Sequence, residues 1–485
     1  MWISSTDFCS NTSSHNMTHT NRRTFIKGGL LAAGAAFTAS PIDFLVSGCA
    51  AFSPKKITLS GVSSNFEREP LIRPFGFKGG YMTEIWQTAS FLESSSGAHS
   101  IGLCSQSVLW SDAKVFASHS ESGGNAIMYA MTERALQIIN GQSFTSPVGL
   151  LDGILGEVYE FGQKITSNPL LRKTFALNAL VGVDNAAWLL YAKENGIRTF
   201  DEMIPGEYRK AVSFHHDKAA AIPLMAYTIP VEEIRAATDE GYFFMKIKIG
   251  QPGTQEEMLE KDKARLTAIH QAIGDVRTSY TSNGKLPYYF DANGRYEKKE
   301  TLMKLLDHAR NIGAYDQIAI IEEPFAEELE VDVSDIPIRL ASDESAHTAE
   351  DAVRRIQMGY GAIALKAIAK TLSMTMKIAL EASNRNIPCF CADLTVNPVL
   401  VEWNKNVAAR LSSFPGIGNL GLIESNGHQN YKNWNTMLGY HPRKDSPWVH
   451  VKKGVYELNS EFYKTGGGIF DPMPHYEDMF ISKQA

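Results

Sequence analysis

The sequence predicts an α/β protein, a TIM-like (β/α)7β barrel that follows an N-terminal α+β capping domain. Three observations carry this. From residue 222 onward, short apolar runs alternate with amphipathic stretches of helical period, the rhythm of a parallel βα sheet. A block of mixed patterning, large enough to be a domain of its own, precedes it. The length of 485 residues, with 44% apolar and 21% charged side chains, suits two globular domains plus a targeting segment.

Residues 1–50 have the shape of a leader. Asn21-Arg22-Arg23-Thr24-Phe25-Ile26-Lys27 resembles a twin-arginine export motif, and the Gly/Ala-rich apolar run after it, 28–39, is short for a membrane span. Val46-Ser47-Gly48-Cys49 resembles a lipobox, with Cys49 the residue to be acylated; simple cleavage nearby is the alternative. The expected location is the periplasm or cell envelope, reached through the twin-arginine machinery, with or without a lipid anchor. Met17 is an alternative start.

Residues 56–220 form the expected capping domain. Residues 57–62 alternate like an opening strand, 66–86 read as a long Gly/Pro/aromatic loop, and 107–112 as a loop or strand end. Residues 125–141 and 171–195 carry helical spacing. Residues 221–430 form the expected barrel, with strands near 222–227, 243–249, 288–292, 318–322, 338–342, 362–367, 388–391 and 420–424. The helix after the fourth of these is barely visible. Residues 431–485 are expected to return to the capping domain.

Composition narrows the function. A net charge of −6 and no basic stripe argue against nucleic acid. Five cysteines, two of them in the leader, make no disulfide framework, and Cys389-x-Cys391 lacks a partner pair at zinc spacing. The histidines are scattered, with no His-x-His opening the barrel. Gly466-Gly467-Gly468 lacks the strand-to-helix setting of a phosphate loop.

The chemistry sits at the strand ends, where a barrel keeps its catalytic groups. Strand two ends Lys246-Ile247-Lys248, and a period of two turns both lysines inward. Strand three ends in Asp291-Ala292-Asn293, strand four in Glu322-Glu323-Pro324, strand five in Ser342-Asp343-Glu344-Ser345, and strand six in Leu365-Lys366-Ala367. Three consecutive strands thus each bring a carboxylate to one place, flanked by strands bringing lysines. Such carboxylates repel unless a cation joins them. Hard oxygen donors without His or Cys point to Mg²⁺, with Mn²⁺ the alternative. A divalent cation on a substrate carboxylate stabilises the enediolate formed when the neighbouring carbon loses its proton. A buried lysine lowered from about 10.4 toward 7–8 would be a suitable base.

These motifs, in this order, resemble the enolase superfamily, specifically the muconate-lactonizing-enzyme subgroup that includes dipeptide epimerases and o-succinylbenzoate synthases. The resemblance covers about residues 222–424. It implies Asp291, Glu322 and Asp343 as metal ligands, Lys248 and Lys366 as the acid/base pair, and Lys246 as a supporting cation. Asn293, Glu323, Glu344, Asp393 and Glu424 are candidates for substrate contact or for support of the ligands; the alternatives are a turn former for Asn293, hydrogen bonding to neighbours for Glu323 and Glu344, and helix capping for Asp393. Arg68, Arg73 and Lys78 are candidates to pair with a second substrate anion. Dipeptide epimerases typically carry Asp-x-Asp near the last strand; here that strand ends Ile423-Glu424-Ser425-Asn426. The implied activity is two-base racemisation or epimerisation alpha to the carboxylate of a small-molecule substrate, on dipeptides or amino acid derivatives. Syn-elimination or cycloisomerisation is the runner-up, and a non-catalytic envelope binding protein the alternative from another class. Such proteins commonly form homo-oligomers.

Overall fold

The computed structural model describes residues 53–78 and 80–481. Arg22, Arg23 and Cys49, on which the export and lipid-anchor expectations depend, lie outside the described residues.

The N-terminal domain is an antiparallel sheet covered by helices. Strand Ile57–Phe77 pairs with Gly80–Ser94, which pairs with His99–Gln106, and Ser143–Phe144 adds at the opposite edge. Residues 66–77 and 80–86, within the span expected as a loop, instead form the distal half of this hairpin: Phe66 lies opposite Thr88, and the register runs out to Phe77 opposite Gly80. The prolines misled because a register shift between Pro70 and Phe75 absorbs Pro74, and a bulge is where a strand tolerates proline. Residues 107–112 hold a short helix, Val108–Ser111. Helices Glu121–Ile139, Pro147–Ile165 and Lys173–Asn195 complete the layer.

Lys173–Asn195 is apolar and long enough to cross a membrane, but 94% of its apolar window is buried inside the protein, which accounts for the composition. It packs so closely on strand His99–Gln106 that a Cβ on Gly102 would stand 2.1 Å from the Gly182 carbonyl oxygen. Only glycine permits that approach.

The barrel strands are Met245–Lys248, Tyr288–Asp291, Ile318–Glu322, Leu340–Ser342, Ala362–Leu365, Cys389–Cys391 and Gly421–Glu424, all parallel, together with one interrupted strand. That strand runs as Lys218–Ile222 and Leu224–Met225. Its first part pairs with Gly421–Glu424 and its second with Met245–Lys248, so the sheet closes on itself at Pro223. Proline has no N–H for the ladder, which is why the strand breaks there, while its carbonyl still accepts from Lys246 N at 3.0 Å.

Helices Val231–Asp239, Gln255–Ile273, Lys299–Asn311, Ala349–Gln357, Leu372–Asn384 and Pro398–Ala408 fill six of the connections. The connection after the fourth strand carries only the 3₁₀ turn Glu327–Leu329. Two boundaries differ from expectation. The first barrel strand begins at Lys218, inside the span expected for the capping domain. The tail joins the barrel before it reaches the N-terminal sheet: Val455–Glu457 pairs antiparallel with Lys218–Ala220. The last helix, Pro474–Ile481, then meets the first strand, with Asn65 Nδ2 donating to Met479 O at 2.8 Å and His475 2.9 Å from Glu67.

Candidate active site

Pleat alternation turns Lys246 and Lys248 to the same side, and both are buried. Lys246 Nζ lies 2.9 Å from Asp291 Oδ2, 2.9 Å from Glu322 Oε1 and 3.2 Å from Glu424 Oε2. Lys248 Nζ donates to Asp291 Oδ2 at 2.5 Å and to Asn293 Oδ1 at 2.6 Å. Across the carboxylates, Lys366 Nζ donates to Asp343 Oδ2. Lys248 and Lys366 line one cavity, together with Lys246, Asp291, Asn293, Asp343, Asp393 and Glu424. The structure therefore brings the lysines and carboxylates named from the strand ends into one place.

Glu322, Asp343 and Glu344 can bring one oxygen each within 4.8 Å of one another, all buried. Asp291 stands beside them, engaged by both strand-two lysines. Asp343 Oδ1 and Glu344 Oε2 are buried and accept no hydrogen bond, the first having only the Lys370 ammonium at 3.4 Å. Anionic oxygens without hydrogen-bond donors in a dry interior are costly, and an all-oxygen donor set of this kind suits a hard divalent cation. The residues present thus fit the metal that the sequence implied, with Glu344 an additional donor.

The electrostatics agree with a crowded anionic cluster. Burial, with Asp343 and Glu344 nearby, pushes Glu322 up to about 8 against the pull of Lys246 and Lys366. Burial opposes charge on Lys246 and Lys366 as well, yet the surrounding carboxylates hold both above the ordinary lysine range, Lys246 well above it. The lowering expected from the sequence counted a metal's charge among its causes, together with burial and a neighbouring ammonium. With the carboxylates unshielded, Coulomb attraction outweighs desolvation at these two lysines, and a cation bound among the carboxylates would oppose that attraction.

The supporting candidates divide by partner. Asn293 bridges, accepting from Lys248 and donating to Glu344 Oε1 at 2.9 Å. Glu323 accepts from the backbone N–H of Asp343 at 2.7 Å and of Ser345 at 3.3 Å, so it shapes the strand-five turn. Asp393 takes the N–H groups of Leu394 and Asn426, both at 2.8 Å. Glu424 is committed to Lys246, to Asp393 N at 2.9 Å and to Asn426 Nδ2 at 3.1 Å. Lys78 reaches in from the capping domain and meets Glu344 Oε1 at 2.9 Å, whereas Arg68 pairs with Glu84 on the surface. Asn293, Glu323, Thr371 and Thr395 hold positive φ angles of 46°, 40°, 72° and 56°, a concentration of backbone strain where the chain turns into the site.

Two residues were missed. Lys370 is fully buried and donates to Asp343 O at 2.5 Å. Tyr289 donates its hydroxyl to Glu322 Oε2. The period of two, counted back from Asp291, would have turned Tyr289 inward; Lys370 lies past its strand, beyond the reach of that rule.

Residues 230–458 match the family model described as enolase C-terminal domain-like. The barrel is thus similar to the C-terminal domain of enolase-type proteins. In fold the described part of the chain resembles the mandelate racemase and muconate lactonizing proteins. A dipeptide epimerase from Enterococcus faecalis, complexed with Mg and the dipeptide L-Leu-L-Tyr, superposes with a TM-score of 0.60 at 16% identity, covering 85% of this chain and 99% of its own. A mandelate racemase/muconate lactonizing protein from Herpetosiphon aurantiacus gives 0.57 at 16% identity, with 83% and 96% covered. The L-Ala-D/L-Glu epimerase of Bacillus subtilis gives 0.54 at 16% identity, with 78% and 90% covered. No curated protein sequence matches the chain.

Proposed function

We propose that this protein is a Mg²⁺-dependent racemase or epimerase that removes and returns the proton alpha to a carboxylate, acting on dipeptides or N-acyl amino acids. One observation carries the proposal: Lys248 and Lys366 enter a single cavity from strands on either side of a buried carboxylate cluster. Two amines so placed can face opposite sides of one carbon, one removing a proton and the other returning it. Asp291, Glu322 and Asp343, with Glu344 beside them, would hold the metal, which supplies charge stabilisation for the enediolate. Lys246 adds a fixed positive charge beside the base. Tyr289, Asn293 and Glu323 hold these groups in place.

The cavity walls favour apolar substrates: Phe75, Phe77 and Met82 of the hairpin, with Leu224 and Leu394 of the barrel. Asp393 and Glu424 already have partners among N–H groups and Lys246, which favours an acylated nitrogen over a free ammonium. The epimerases of similar fold, solved with Mg and dipeptides, support the same class. We propose export by the twin-arginine route on the motif at residues 21–27, which Arg22→Lys/Arg23→Lys would abolish in a fractionation assay.

The test is deuterium exchange. With Mg²⁺ in D₂O, the protein should incorporate deuterium at the α-carbon of dipeptides or N-acyl amino acids, read by mass spectrometry. Lys248→Ala and Lys366→Ala should each slow racemisation by at least about 10²-fold, the scale of one general acid/base. No exchange despite confirmed Mg²⁺ binding would overturn the racemase proposal in favour of elimination.

A further inference from the structure

Trp110 is the one tryptophan among the described residues whose buried indole N–H has no acceptor. The indoles of Trp86, Trp188 and Trp448 donate to Glu84, Ser373 and the Gly467 carbonyl. Trp110 is 4% exposed and lines the cavity that holds Lys248 and Lys366. Its position is set from two directions. The Lys366 ammonium lies 4.4 Å from its ring centroid, and its carbonyl oxygen accepts from Lys78 Nζ at 3.1 Å. Face and backbone are both engaged, and the N–H is left over.

A buried donor without a partner is unfavourable unless a ligand completes it. We infer that Trp110 is a substrate-binding residue whose indole Nε1–H donates to a neutral carbonyl oxygen of the substrate, the acyl or peptide carbonyl next to the reacting carbon. This rests on the function proposed above and specifies its substrate. The α-carboxylate would go to the lysines and to the cation that the carboxylate cluster would hold, so the uncharged donor is matched to the uncharged acceptor. The other walls offer little competition. Phe75, Phe77 and Met82 are apolar, and the oxygens of Asp393 and Glu424 are taken. Free amino acids and simple hydroxy acids lack the second acceptor and would leave the N–H unsatisfied.

The test is calorimetric binding, with Mg²⁺ present, of N-acetyl-L-leucine and L-Leu-L-Tyr, with free L-leucine for comparison, to wild type and Trp110→Phe. Phenylalanine keeps a ring over Lys366 but removes the N–H together with part of the indole's bulk, and the bulk term is common to acylated and free probes. Loss of one neutral hydrogen bond should weaken both acylated probes about fivefold relative to free leucine. In exchange kinetics the loss should fall on KM more than on kcat. Trp110→His, which restores a ring donor, should recover part of the affinity and guards against a folding defect in Trp110→Phe. Equal binding of all probes by wild type and Trp110→Phe, or equal weakening of acylated and free probes, overturns the inference. Binding that depends on Trp110 without any deuterium exchange would uphold the subsite and overturn the racemase. Failure of wild type to bind any probe overturns both.

Discussion

Asp343→Asn puts the ionic logic of the site to its strictest test. Asp343 is fully buried and serves two buried lysines: Lys366 by hydrogen bond, and Lys370 at 3.4 Å from Oδ1. Asparagine keeps the shape and removes the charge. Breaking a buried ion pair by neutralising one partner typically costs about 3–5 kcal/mol, because the other charge stays behind in low dielectric. Here the lower end applies. Lys370 keeps the Asp343 carbonyl, and Lys366 keeps the fields of Glu344 and Glu322. With unfolding entropy near 2.1 cal/mol/K per residue, about 3 kcal/mol lowers the melting midpoint of a body this size by only about 3 °C, so urea titration in EDTA is the better assay. The second arm is metal linkage. Mg²⁺ at a hundred times its Kd should stabilise wild type by about 2.7 kcal/mol and Asp343→Asn far less, since one donor of the cluster is gone. A variant as stable as wild type in EDTA would refute the claim that Asp343 balances these lysines. A variant with undiminished Mg²⁺ stabilisation would refute the ligand assignment.

Two further outcomes follow from places away from the cluster. Asp184, on the central helix of the capping domain, accepts from the Ser373 backbone N–H at 3.1 Å and from the Ser373 hydroxyl, and burial pushes its carboxyl up to about 7. A raised acid pKa means the folded state holds the proton more tightly than the unfolded chain. Its contribution is therefore full below about pH 4 and is lost as pH rises toward 7, by roughly 4 kcal/mol in total; the stability difference between wild type and Asp184→Asn should shift by that amount between pH 4 and 8, and a pH-independent difference would sink the assignment. Gly467→Ala should destabilise by about 2–4 kcal/mol in urea, because Gly467 has φ 72° and a Cβ there would stand 2.4 Å from Glu402 Oε2. An unchanged midpoint would show that the tail can shift to make room.

The site was legible because a parallel barrel turns sequence order into angular position. Once Lys246, Asp291, Glu322, Asp343 and Lys366 lay at the ends of successive strands, their convergence required only the period of two and closure of the sheet. The hairpin was not legible, because Pro70, Pro74 and the glycines around them signal a loop locally. Their pairing partner lies along 80–94, and a bulge hides the register.

By itself, then, the chain determined the order of barrel strands, the inward face of each and the donor chemistry of the cluster, all of which are local or periodic properties. Only the tertiary structure decided which groups remain free. Glu424 and Asp393 looked available in sequence and are bound to Lys246 and to backbone N–H groups. Trp110 and Lys78, from a different domain, complete the wall and its charge. The physical reason is that hydrogen-bond satisfaction and desolvation depend on neighbours far apart in the chain, and no periodicity encodes them.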